Sequence, residues 1–588
     1  MRRTAWIDYR FSPEEHEREL VAIVEALSVL AAPRPGDIDR VLRRYPKNGR
    51  SFFSRSELIA GYRQLAAKYG WPLEGALVER LRLKPVRSLS GVTTVTILTK
   101  PFPCPGRCIF CPNDVRMPKS YISSEPGAQR AAHHRFDPYA QTFARLRALD
   151  AIGHPTDKVE IIVLGGTWSS YPEPYQRWFL KRAFDALNDF HPESGATNEE
   201  ERGIDFESLR DTVDGRRGEN PYNRIVSDHA RRQDPEGIIS ARESSSWKEL
   251  RAVQTINETS KARCVGLSLE TRPDHVSEPE VERLRRLGAT KIQIGYQSLD
   301  DEVLALNERG HDVSASRRAT WLLRRAGFKV QAHWMANLYG STPQRDVEDF
   351  ERLFADADFR PDELKLYPCS LVATAELMSH YEAGRYRPYT ERELLELLVT
   401  CMAKTPPYCR LTRIIRDIPG EEICAGSRVT NFRDLAEREM ARRGIRSRDI
   451  RAREIRDRDV SAYSLRLEEV PYRTSAGEER FLQFVTGEDR IAGFLRLCLP
   501  EHETFIDELR GAALVREVHV YGGAVGIGER EAGRAQHGGL GRRLLERAAA
   551  VARVRGYPRL SVISSVGTRE YYRRCGFVDG DLYQHRIL

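Results

Sequence analysis

Between residues 93 and 367 the chain alternates six short apolar runs with longer amphipathic ones. The runs at 93–99, 159–164, 264–269, 291–295, 330–335 and 363–367 have strand length. Stretches between them, such as 142–149, 281–287 and 316–326, repeat their apolar residues at helical spacing. Few architectures accept this alternation, because a parallel neighbour needs a crossover long enough to be a helix. The pattern predicts an α/β fold with a parallel sheet, either open or closed into a partial barrel. Residues 191–246 break the rhythm. They are polar and rich in Gly, Ser and charge, which predicts a long surface insertion, partly mobile.

The flanks differ in character. Residues 1–90 read as basic and helical, with Pro33-Arg34-Pro35-Gly36 separating the first helix from the next. Residues 381–460 read as a helical, highly charged connector. Residues 461–588 form a separate α+β domain, with strands expected at 481–486, 490–497 and 513–521. A Gly-rich turn, a helix over 542–555 and a last strand at 560–564 follow. The expected division is thus 1–90, 91–380, 381–460 and 461–588.

Composition excludes little beyond fibrous or disordered chains: 40% of residues are hydrophobic and 30% charged. No apolar stretch approaches the ~18 residues of a membrane span. Asp8, Glu14 and Glu15 follow Met1-Arg2-Arg3 where a signal peptide needs an apolar segment. The expectation is a cytoplasmic chain without membrane contact. Net charge is +8, unevenly placed. Residues 34–87 hold 13 basic and five acidic residues, and 442–458 hold eight Arg and three acids. Such patches suit a polyanion.

Ten Cys occur, three of them within eight residues: Cys104-Pro105-Gly106-Arg107-Cys108-Ile109-Phe110-Cys111. This loop directly follows the first strand. A structural zinc site takes four ligands, commonly as paired CxxC units. Three thiolates with no fourth nearby better suit an iron–sulfur cluster with one open iron. Further polar residues fall at successive strand ends, where parallel α/β folds collect ligands. Leu164-Gly165-Gly166-Thr167 follows the second strand, Glu270 the third, Gln297 the fourth and Asn337 the fifth, with Lys365 and Tyr367 at the sixth. For Asn337, Lys365 and Tyr367 a functional and a structural role weigh equally.

The Cys loop and the Gly165-Gly166 turn resemble those of radical S-adenosylmethionine enzymes. The resemblance implies a [4Fe–4S] cluster on Cys104, Cys108 and Cys111, whose open iron is chelated by S-adenosylmethionine. Gly165, Gly166 and Thr167 would hold the methionine amino group, with Glu270, Gln297 and Lys365 in the same cofactor site.

Gln536-His537-Gly538-Gly539-Leu540-Gly541 opens the helix of the last domain. A Gly-rich turn at a helix start offers backbone N–H groups to an anion such as a pyrophosphate. The turn resembles that of GNAT acetyltransferases, which bind acetyl-coenzyme A. In that family a Tyr at the place of Tyr571 or Tyr572 protonates the departing thiolate, and Tyr572 is the preferred candidate. Glu517 and His519 lie two apart on the preceding strand, so both face one side and could line the same cleft.

A radical S-adenosylmethionine unit followed by a GNAT unit resembles the family of the Elongator catalytic subunit, in its stand-alone bacterial or archaeal form. Blocks 84–91, 263–274, 359–368, 416–419 and 516–522 carry the likeness. It implies a tRNA carboxymethyluridine synthase that joins the acetyl group of acetyl-coenzyme A to C5 of the wobble uridine. The partner would be a tRNA anticodon stem-loop, with the basic stretches on its backbone. Relatives often carry extra Cys near the segment matching 446–454 and bind zinc near there; Ser447, Asp449 and Ala452 supply no thiol, and Cys369, Cys409 and Cys424 read better as scattered buried thiols than as an alternative zinc set. Two other readings compete: a protein lysine acetyltransferase with a structural cluster, and a tRNA-binding module regulated by acetyl-coenzyme A.

Overall fold

A computed structural model describes residues 11–30, 35–72, 76–82, 88, 90–191, 221–233, 239–429, 431–455, 464–521 and 539–588. Strands form at all six apolar runs: β1 (Thr93–Leu98), β2 (Lys158–Leu164), β3 (Arg263–Thr271), β4 (Lys291–Gln297), β5 (Lys329–Ala336) and β6 (Glu363–Pro368). Three short strands follow, β7 (Leu371–Val372), β8 (Arg410–Arg413) and β9 (Ile423–Ala425). β1 to β6 and β8 make one seven-stranded sheet in that order, with every pairing parallel. Each strand lies beside its predecessor, so the sheet curls progressively into a partial barrel.

β8 departs from the sequence expectation, which places only helices and charge in this region. Arg410-Leu411-Thr412-Arg413 has no apolar run to signal a strand. It forms because β6 presents an open edge: Arg410 N–H donates to the Asp362 carbonyl at 3.0 Å, and Leu411 is fully buried. The connector therefore completes the barrel.

The N-terminal helices Glu17–Ser28, Pro35–Arg44, Arg55–Tyr69 and Ala76–Leu81 have their own apolar core around Leu20, Ile23, Leu58 and Ile59. They are tied to the barrel by Arg63, paired with Asp150 at 2.8 Å, and by Arg82, which donates to the Gly153 carbonyl at 2.7 Å.

One described part of the expected insertion is anchored rather than free. Its described part holds a helix, Pro221–Gln233, and Tyr222 of that helix is fully buried, donating to the Met117 carbonyl at 2.6 Å. This helix packs on the Cys loop by one face; residues 192–220 and 234–238 of the expected insertion lie outside the described residues.

The C-terminal strands are β10 (Arg466–Thr474), β11 (Gly477–Val485), β12 (Ile491–Pro500), β13 (Ala512–Val520), β14 (Arg559–Val562), β15 (Val578–Asp579) and β16 (Gln584–Ile587). They form a second sheet, ordered β10-β11-β12-β13-β14-β16-β15, in which only β13 and β14 run parallel. Two strands thus lie beyond the expected last one. Helix Leu540–Val554 packs against this sheet through Leu544, Leu545, Ala548 and Ala552.

The two sheets meet across a buried ionic contact. Arg516 of β13 donates both terminal nitrogens to Asp362 at 2.7 Å, and both side chains are fully buried. Arg324 and Arg496 also face Asp362, at 3.6 and 3.4 Å. Burial opposes ionisation of Asp362, yet the three guanidiniums outweigh it and hold its carboxyl far below the usual range. Among the described residues no helix is long and apolar enough to cross a membrane.

Candidate active site

Strand alternation gives the barrel a row of inward side chains on each strand. β5 presents Lys329, Gln331, His333 and Met335; β6 presents Glu363, Lys365 and Tyr367. The first of each row faces the C-terminal sheet and the last faces the Cys loop, roughly 20 Å away along β5 and roughly 13 Å along β6 at the strand rise. Two cavities occupy this lumen.

The smaller, about 170 Å³, lies at the carboxyl ends of the strands. Cys104, Cys108, Cys111, Gly165, Gly166, Thr167, Glu270, Gln297, Lys365 and Tyr367 all line it. The sequence-selected residues thus converge on one chamber. Gly165 has φ +144°, and a Cβ there would collide with Thr99 Oγ1; the backbone requires glycine. At Gly166 an added Cβ would meet only ordinary contact, so its small size leaves room in the chamber without serving the fold. Gln297 takes φ +69°, and its Oε1 is buried without a partner among the described residues. An orphaned acceptor on a chamber wall fits a ligand bearing a donor. Burial raises Glu270 above its ordinary value, partly offset by Lys365, Arg416 and Arg309.

Asn337 is not part of this chamber. Its Oδ1 accepts the Tyr389 N–H at 2.7 Å and its amide donates to the Arg387 carbonyl, so its role is structural. Conversely, Arg272 and Arg309 line the chamber and escape a sequence reading, because each lies beyond its strand end in a loop. Arg309 donates to Cys108 Sγ at 3.1 Å and to the Gly295 carbonyl at 2.8 Å. Arg272 stands 3.8 Å from the same sulfur and is chelated by Asp274 at 2.9 Å. The Cys108 thiol is pulled well below its ordinary value, first by a hydrogen bond from Cys111 and then by these two charges, against the effect of burial.

The larger cavity, about 730 Å³, fills the rest of the lumen. Glu517, His519 and Tyr572 line it; Tyr571 does not. Tyr571 instead lies against Gly541, where an added Cβ would sit 2.6 Å from its hydroxyl. Gly539 takes φ +65° and Leu540 begins the helix; Gln536, His537 and Gly538 lie outside the described residues. Both oxygens of Glu517 are occupied, by Lys329 at 2.6 Å and Arg496 at 2.8 Å. Burial favours its neutral form, but these two cations win and hold its carboxyl below the ordinary value. Burial pulls His519 down to about 4, and its Nε2 is buried without a partner among the described residues. Burial raises the Tyr572 hydroxyl well above its usual value.

The cavities share Tyr121, Glu125, Leu164, Lys365 and Arg413. Lysine and arginine outnumber carboxylates on the larger wall, which suits an anionic ligand. Part of the 442–458 patch is used inside: Arg451 lines this cavity, and Arg453 is buried against Asp489. Arg446 and Arg448 remain exposed.

Among the described residues no group of three or more His, Cys, Asp or Glu is placed to hold a single metal ion. Cys369 and Cys409 are buried and Cys424 is exposed, so the alternative zinc set does not form. The three thiols line one wall of the chamber, and an iron–sulfur cluster takes each thiolate on a separate iron.

A profile of the radical SAM C-terminal domain matches residues 361–442, spanning β6, β8 and β9. A tRNA uridine(34) acetyltransferase of Dehalococcoides mccartyi is 37% identical over 510 residues, covering 85% of this chain and 98% of the relative. The chain belongs to the Elongator catalytic-subunit family. Elongator complex protein 3 of Bos taurus is 34% identical over 85% of both chains. The structure of Methanocaldococcus infernus Elp3 lacking its first 46 residues superposes with a TM-score of 0.66 at 32% identity, over 85% of this chain and all of that one. As a family member the chain is a radical S-adenosylmethionine enzyme, and the barrel with its helical N-terminal region is the family's fold.

Proposed function

We propose that the chain modifies the wobble uridine of tRNA, joining the acetyl carbon of acetyl-coenzyme A to uridine C5 to give 5-carboxymethyluridine in the cytoplasm. One observation carries the reading: the cavity of Glu517, His519 and Tyr572 shares a wall with the chamber of the three thiols. Cys104, Cys108 and Cys111 would hold a [4Fe–4S] cluster that, with S-adenosylmethionine, supplies a 5′-deoxyadenosyl radical.

The other roles belong to the chain's own groups. Gln297 Oε1 and the Gly165-Gly166 backbone receive the polar end of S-adenosylmethionine. Tyr572 Oη donates a proton to the coenzyme A sulfur as it leaves. His519, neutral and with Nε2 open, takes a proton from the water that cleaves the thioester. Glu517 is a fixed anion that orients Lys329 and Arg496 and moves no proton. The exposed Arg43, Arg44 and Arg50 of the N-terminal unit contact tRNA phosphates. A wobble base is single-stranded and can leave its stack to enter the lumen.

The test is anaerobic incubation of reconstituted protein with reductant, S-adenosylmethionine, acetyl-coenzyme A and unmodified tRNA, followed by mass spectrometry. The expected products are 5-carboxymethyluridine and 5′-deoxyadenosine. An intact cluster yielding neither overturns the proposal, and acetylated lysine in their place would favour a protein acetyltransferase.

A further inference from the structure

Two buried guanidiniums converge on a single cysteine of the chamber. Arg309 and Arg272 are 5% and 7% exposed, and both aim a terminal nitrogen at Cys108 Sγ, at 3.1 and 3.8 Å. Cys104 and Cys111 receive no arginine among the described residues. The two cations are not equivalent. Arg272 spends two nitrogens on Asp274, so its charge is largely neutralised. Arg309 forms no ion pair with a carboxylate among the described residues, and its remaining bond goes to the neutral Gly295 carbonyl. The arrangement is braced, because Arg272 Nη2 donates to the Arg309 carbonyl at 2.5 Å. Gly106, inside the Cys loop, lies directly under this guanidinium: an added Cβ would meet Arg272 Nη1.

A guanidinium stays protonated at any working pH. Placing one in a low-dielectric wall is costly unless it stabilises a negative group. We infer that Arg309 is a positioning residue that raises the reduction potential of a cluster held by Cys108, by donating a charged hydrogen bond to that ligand's sulfur. The physical reason is that reduction adds an electron whose density spreads onto the ligand sulfurs. A donor at the sulfur therefore favours the reduced form over the oxidised one. The inference rests on the cluster reading of the Cys loop, and the test separates the two.

The experiment is an EPR-monitored redox titration of reconstituted full-length holoenzyme without S-adenosylmethionine, with iron and sulfide analysis of each sample. Arg309→Met and Arg309→Gln remove the charge, whereas Arg309→Lys keeps it. Both neutral variants are expected to retain iron and to show an about tenfold lower ratio of reduced to oxidised cluster at a poise that half-reduces the wild type, a shift of about 59 mV for one electron. Arg309→Lys is expected to recover most of that fraction. Should Arg309→Met fail to assemble, Arg309→Gln carries the comparison. An unchanged midpoint in a neutral variant with full iron content overturns the inference. Loss of the cluster from both neutral variants, with retention in Arg309→Lys, makes Arg309 a structural residue and also overturns it. Absence of a four-iron signal in the wild type instead overturns the cluster reading beneath it.

Discussion

The side-chain amide of Asn223 closes on both backbone polar groups of Cys104. Its Oδ1 accepts the Cys104 N–H and its Nδ2 donates to the Cys104 carbonyl, each at 2.9 Å. The two residues are 119 positions apart. Asn223 belongs to the polar segment that reads as a surface insertion, and Tyr222 beside it is buried against the same loop. A loop that must hold three thiols in place gains its rigidity from this remote helix.

Asn223→Ala should therefore loosen the loop without unfolding the chain. It leaves two backbone groups of Cys104 unpaired, at a local cost of roughly 1–3 kcal/mol. Iron should leave the reconstituted variant several-fold faster under chelator challenge, while the main unfolding transition moves little. Equal iron-release rates in variant and wild type would mean the clamp is dispensable.

Tyr572 and Tyr571 make a discriminating pair. Tyr572→Phe removes the hydroxyl that faces the lumen and should cut tRNA-dependent acetyl-coenzyme A cleavage by roughly 10²–10⁴-fold, the scale of a lost general acid. Tyr571→Phe should cost far less, because that hydroxyl lies against Gly541. Initial-rate measurement of free coenzyme A release decides between them; the reverse order would place Tyr571 in the proton-donating role.

His519 sets a pH expectation. Burial pulls its value down from 6.5 to about 4, so the neutral, proton-accepting form persists through mildly acid solution. Thioester cleavage by the wild type should stay flat from pH 8 down to about 5.5 and fall only as pH approaches 4. The same shift makes a stability statement. The unfolded chain binds this proton more readily, so stability from a neutral buried His519 is present above 6.5 and erodes as pH falls toward 4. A rate limb centred near 6.5 would show that the imidazole is solvated during turnover.

Asp362 is the anion on which the two sheets dock. Asp362→Asn leaves Arg516, Arg496 and Arg324 buried without that carboxylate, and breaking a buried pair costs about 3–5 kcal/mol. Calorimetry should show a lower or split transition as the C-terminal sheet separates from the barrel. The folded-state carboxyl lies far below the usual range, so its contribution is complete above the unfolded value near 3.9 and lost only in stronger acid. A single unshifted transition in Asp362→Asn would count against this role.

The barrel strands were legible because each is an apolar run bounded by helical periodicity, and local pattern alone sets both. Gly165, Glu270 and Gln297 were legible by position, since topology sends every strand end to one rim. β8 was not, because Arg410-Leu411-Thr412-Arg413 becomes a strand only by pairing with the open edge of β6. Arg309 was not, because nothing in the order of residues signals that a loop arginine will fold back onto Cys108. Glu517 was selected as a cleft residue, but its neighbours Lys329 and Arg496 come from the barrel and from another strand, and only their approach turns it into a fixed anion.

Residue order was enough to mark which side chains could bear the chemistry and the fold that would collect them: three thiols after one strand, polar residues at the next rims, a Gly turn before a helix. Those features depend on spacing along the chain, and spacing survives in any reading of it. The tertiary structure alone decided which of them face one another. The lumen that joins Tyr572 to the Cys loop, the Asn223 clamp and the Arg309 contact each bring together groups far apart in the chain, and such encounters are set by the packing of whole sheets and helices rather than by any local pattern.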